Sequence, residues 1–138
     1  MKINVIDGSN YFKGLLLLIR KDKKITEEEV TLMKMIGRKL GFETEFCNNA
    51  IRDILDNQYI VDEPPIFSSK ELAYRFIKDG IKLALSDARL HPFEEQWLRH
   101  TAEKNGIDPG ILSDELKKVL DRNFNSGGLE IDDISIEF

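Results

Sequence analysis

The chain is poor in the residues that would staple, break or anchor it. Its 138 residues include a single cysteine, Cys47, so neither an intrachain disulfide nor a cysteine-based zinc site can form. Cys47 lies among apolar neighbours in "EFCNNAI", with no local base to activate a thiol, and reads as a small core residue. Only four prolines and nine glycines stand against 41% hydrophobic and 33% charged residues, a balance that excludes a disordered or fibrous chain. Long apolar runs are missing as well. The longest, Leu15 to Ile19, is too short for a bilayer, and "MKINVIDGSN" lacks a signal peptide's apolar stretch. A cytoplasmic protein without membrane insertion is the simplest expectation. Positive charge is not gathered in one place either. The net charge is −5, and Lys13, Arg20, Lys21, Lys23, Lys24, Lys34, Arg38 and Lys39 alternate with acids, so no cationic stripe exists for a phosphate backbone and no nucleic-acid partner is expected.

What the chain does have is helical periodicity from about Ser9 to Phe124, punctuated by capping residues. One helix is expected to start at Ser9 or Asn10, carry "YFKGLLLLIRK", and stop near Asp22; its nearly all-apolar centre implies burial on several sides. Thr26 and Glu29 form a Ser/Thr-x-x-Glu capping box for a second helix with Val30, Met33, Ile36, Gly37 and Leu40 inward, closed by Gly41 as a left-handed residue. A third runs from Thr44 to about Asn57, with Phe46, Cys47, Ala50, Ile51, Ile54 and Leu55 inward. "YIVDEPPIF" forbids helix, which makes residues 58–67 an extended crossing. Ser68 with Glu71 is expected to cap a long fourth helix ending near Ser86 or Asp87. His91 and Pro92 open a fifth that Gly106 stops, and Asp108–Pro109 or Ser113 opens a last helix to about Asn123. The tail "NSGGLEIDDISIEF" is either disordered or a short strand, for which "KINVI" offers a partner.

Sliding the sequence by 65 residues lays 11–55 on 76–120. Only seven of 45 pairs are identical, but apolar positions, small positions and helix stops keep phase: Leu18 with Leu83, Asp22 with Asp87, Glu29 with Glu94, Met33 with Leu98, Gly41 with Gly106. The expected architecture is therefore an all-α compact bundle of about six to seven helices, formed from two pseudo-repeated three-helix units. Residues 1–8 form an N-terminal extension, 9–124 the helical domain and 125–138 an acidic tail.

"LALSDARLHPFEEQWLRHTAEKNGID" resembles the helix, Asp-containing turn, helix and Gly stop of the TerB-like family, the helical domain named after tellurite-resistance proteins, and "LLIRKDKKITEEEVTLMKMIGRKLGF" resembles it again. The likeness covers roughly residues 11–120. It departs at the turn, where the family commonly has Asp-Gly and this chain has Asp22-Lys23 and Asp87-Ala88. The resemblance implies a helical fold of about seven short helices and a stress-associated or accessory bacterial role without established catalysis. It also implies that the acidic turn residues bind metal or contact partners.

Among the residues themselves, Asp22, Glu29, Asp87 and Glu94 are the candidate ligand or metal set. Glu29 and Glu94 have a capping explanation, whereas Asp22 and Asp87 lie where a helix C-terminus disfavours an anion and need an Asx turn, a lysine or a cation. Neither "DKKITEEE" nor "DARLHPFE" has the alternating oxygens of a calcium loop, so no resident cofactor is expected beyond an optional divalent metal. His91 and His100 do not share a helical face, and Trp97, Phe93, Phe76 and Phe46 have core spacing. No catalytic constellation emerges. The expected function is a non-enzymatic adaptor, monomeric or weakly dimeric, that binds another protein, with Asp62, Glu63, Ile66 and Phe67 of the crossing as candidate contacts. The alternative is a metal- or small-ligand accessory protein using the acidic turns.

Overall fold

The computed structural model describes residues 1–20, 25–56, 63–85, 90–121 and 129–137. Its fold is all-α. Six α-helices occur among the described residues: α1 (Val5–Ile19), α2 (Glu27–Leu40), α3 (Thr44–Asp56), α4 (Lys70–Ala84), α5 (Pro92–Lys104) and α6 (Pro109–Asp121). They are joined by two short strands, β1 (Lys2–Ile3) and β2 (Ser135–Ile136), and a 3-10 turn at Glu130–Asp133.

Two helices form the centre. In α1, Tyr11, Phe12, Leu15, Leu16, Leu18 and Ile19 have no exposed surface, the expected fate of a helix that is apolar nearly all round. In α4, Leu72, Ala73, Phe76, Ile77 and Ile81 are equally enclosed. The helices α2 and α3 pack on α1, α5 and α6 pack on α4, and the two groups meet where α1 crosses α4 and α5. A T-shaped ring contact between Tyr11 and Phe76, with centroids 5.3 Å apart, marks that junction. Adding 65 to the bounds of α1 and α3 reproduces the bounds of α4 and α6, and the same shift carries the start of α2 to the start of α5.

Local chemistry explains most helix ends. The Thr26 hydroxyl accepts from the Glu29 N–H at 3.1 Å while Glu29 Oε1 accepts from the Thr26 N–H at 2.9 Å, a complete capping box. Gly41 and Gly106 close α2 and α5 at φ 101° and 70°, where an L side chain would be strained. Gly37 has a different task. A Cβ there would come within 2.2 Å of Cys47 Sγ, so glycine sets how closely α2 and α3 approach.

Several boundaries and faces differ from expectation. The first helix begins at Val5, four residues before Ser9, because the Asn4 side chain accepts from the Asp7 N–H at 2.7 Å; residues 1–8 thus supply β1 and the first turn of α1 rather than a separate extension. Ser69, not Ser68, caps α4, since the backbone N–H and hydroxyl of Ser68 both donate to the buried Asp7 carboxylate, and Glu71 pairs with Arg75 one turn on. Phe46 and Phe93, assigned to the core by spacing, are 40% and 59% exposed. In the first turn of α5 the inward residue is Glu94, and the Phe93 ring stacks on His91 instead. Val30 and Ala50 are half-buried, Cys47, Ile51 and Ile54 are buried, and the side chain of Leu55 lies outside the described set. The tail from Leu129 to Glu137 is packed, with β2 parallel to β1 in the register Lys2 to Ser135 and Ile3 to Ile136.

Candidate functional site

Of the acidic set expected to form a site, Glu29 and Glu94 are buried and serve as caps. Glu94 Oε1 accepts from the His91 N–H at 3.1 Å, and His91 Nδ1 accepts from the Phe93 N–H at 3.3 Å, so the imidazole is used in α5's own N-terminus. Asp22 and Asp87 fall outside the described residues, as does Asp62. Among the described residues no group of three His, Cys, Asp or Glu side chains converges as a metal would require. His100 is exposed, and burial pushes the Cys47 thiol up, away from nucleophilic character.

The crossing segment is held down rather than free. Asn105 Oδ1 accepts from the Phe67 N–H at 2.9 Å, and its amide donates to the carbonyl oxygens of Pro65 and Thr101 at 2.8 and 2.9 Å. Phe67 therefore turns into the core between Tyr11 and Phe76 and is buried, which removes it as a surface contact. Glu63 is exposed and Ile66 is 62% exposed.

The polar centre of the fold lies elsewhere. Asp79, in the middle of α4 with no exposed surface, accepts from the Tyr11 hydroxyl at 2.6 Å, the Glu130 N–H at 2.6 Å and the Ile131 N–H at 3.0 Å. Burial pushes its carboxyl up to about 6, while the three donors pull the other way. Burial, and then the neighbouring Asp79 charge, raise the Tyr11 hydroxyl well above its ordinary value. A single side chain in the core thus clamps two successive main-chain amides of a segment 51 and 52 residues away.

Around this clamp the tail is fitted on all sides. Ile131 and Ile134 are buried at 0% and 3% exposure. Lys78 pairs with Glu130 at 2.9 Å, Arg75 reaches the same carboxylate at 3.9 Å, and Lys39 of α2 pairs with Asp132. The Ser135 N–H donates to the Met1 carbonyl oxygen at 3.0 Å and the Glu137 N–H to that of Ile3 at 2.8 Å. Gly8 leaves room for Ile136, whose Cδ1 would lie 2.3 Å from a Cβ at that position.

A second surface feature is an open groove of about 510 Å³ between α1 and α3, walled by Leu16, Leu17, Phe46, Ala50 and Ile54, with Lys13 and Asp53 at its rim. Phe46 forms one wall, with its ring 4.8 Å from that of Phe42.

The expected site missed Asp79 because its partners are remote in sequence. One local signal was available: in "RFIKDGIKLAL" Asp79 lies three residues after Phe76 and four before Leu83, on the inward face of the helix. No protein-family model matches this chain, and no curated protein or solved structure matches it. No helix among the described residues is long and apolar enough to cross a membrane.

Proposed function

We propose that the protein is a non-enzymatic accessory domain of TerB-like type, built from two pseudo-repeated three-helix units, that binds another protein in a stress-associated bacterial role. The observation that supports this best is the Asp79 clamp. A buried carboxylate aimed at consecutive main-chain N–H groups is polypeptide-recognition chemistry, selective for backbone direction and independent of any reacting atom. Among the described residues the other buried acids are also used on structure: Glu29 and Glu94 cap helices, Asp7 holds Ser68, and Glu115 accepts from the Tyr74 hydroxyl. The recurrence of helix bounds at 65 residues and the paired left-handed glycines support the kinship.

Affinity capture with the wild-type chain, followed by calorimetry with the purified captured protein, tests the reading, and a chain cut after Asn123 locates the tail's share. A saturable complex with defined stoichiometry is expected. Turnover of a substrate at ordinary enzyme rates by the purified chain would overturn the class. The alternative is a metal- or small-ligand accessory protein using Asp22, Glu29, Asp87 and Glu94. What favours it is that two buried glutamates each stand seven residues after an aspartate.

A further inference from the structure

We infer that the face formed by α2, α4 and β1 is a docking groove for an extended acidic and apolar segment of a partner protein, and that residues 129–137 occupy it as an intramolecular competitor. The inference rests on the adaptor reading and names its site and ligand chemistry.

The tail reveals what the groove accepts. Asp79 takes two successive amides and so requires a main chain running in one direction, β1 adds a parallel strand to it, and neither contact reads a particular side chain. Side-chain selection comes from two apolar sockets, filled by Ile131 and Ile134, and from Arg75, Lys78 and Lys39 on the rim, which face Glu130 and Asp132. A matching partner segment has apolar residues three apart with acids beside them.

The same contacts make the tail displaceable. Its strand is two residues long, and a pairing of that size is marginal. The Lys39–Asp132 pair is more than a third exposed on both sides, and such pairs add little. Beside the Asp79 amides, only Ile131 and Ile134 of the described tail side chains are fully buried, while Leu129 and Ile136 are half-buried at the edge of the core. A tethered segment nevertheless competes at an effective concentration on the order of millimolar, so a partner must fit better than the tail does.

The test uses the full chain and a fluorescein-labelled peptide of residues 129–137, LEIDDISIE, with a scrambled peptide as control. In a full-length chain carrying Ile131→Asp and Ile134→Asp, the peptide is expected to bind with a Kd at least tenfold below that of the wild type. Adding Asp79→Asn should abolish that binding. A double variant with wild-type helical circular dichroism that binds no peptide would overturn the groove. Should the double variant not fold, hydrogen exchange on the wild type decides. The Glu130 and Ile131 amides are expected to exchange at least a hundredfold faster than the central amides of α1, through local opening. Exchange as slow as α1 would mean that the tail leaves only when the whole domain unfolds, and the inference would fall. A captured partner whose binding the peptide does not compete would overturn this groove while leaving the adaptor reading intact.

Discussion

The hydroxyl of Tyr11 donates to Asp79 Oδ2 at 2.6 Å, joining the middle of α1 to the middle of α4 across 68 residues of chain and inside a core that excludes water from both groups. Removing that donor leaves a buried carboxylate with two partners rather than three. Tyr11→Phe is expected to cost about 1.5–3 kcal/mol of unfolding free energy, the range for a hydrogen bond to a charged group. Urea unfolding at pH 7.5 checks it; a change below a few tenths of a kcal/mol would mean that the hydroxyl does not sustain the carboxylate.

Asp79 also sets a direction for pH dependence. Its folded value of about 6 lies above the ordinary 3.8, so between those limits the folded state binds more protons than the unfolded one. The stabilisation linked to this proton is full below pH 3.8 and is lost as pH rises through about 6. Relative to Asp79→Asn, the wild type should therefore lose on the order of 3 kcal/mol between pH 4 and pH 7, then level off. Chemical denaturation of both proteins at several pH values measures the difference; a constant gap across that range would contradict it.

Gly37 separates α2 from Cys47 of α3 by less than a methyl group. Gly37→Ala is expected to destabilise by about 1–3 kcal/mol through overpacking, partly relieved when Cys47→Gly is added. A double-mutant cycle by thermal unfolding gives the coupling, and additive effects would locate the strain elsewhere.

Glu94→Ala should cost about 0.5–2 kcal/mol, the loss of one cap, and Glu29→Ala about the same. Calcium, magnesium and manganese should leave the melting temperature of the wild type unchanged. A metal-dependent rise that Asp87→Asn abolishes would instead support the metal reading.

Features fixed within one helical turn were legible in the sequence. Thr26 with Glu29, His91 with Glu94, and the two stopping glycines need only their neighbours, and the structure has them as read. The start of α1 was not, because Gly8 and Ser9 look like loop residues while in the deciding bond the Asp7 N–H donates to the Asn4 side chain. Phe46 and Phe93 have the spacing of core residues, but spacing gives the face of a helix and not how completely neighbours cover that position. Ser68 looked like a cap until Asp7, 61 residues away, claimed its hydroxyl. For Asp79 the sequence shows an inward position on its helix but not its partners, because the groups that justify its burial arrive from other elements.

That separation orders the events of synthesis. Asp79 leaves the ribosome about fifty residues ahead of the Glu130 and Ile131 amides, at rates that put several seconds between them. During that interval α1 and α4 can meet, but the carboxylate between them has only the Tyr11 hydroxyl to answer it. A nascent chain that closes early therefore holds this acid at its centre without the two amide donors, until residues 130 and 131 follow.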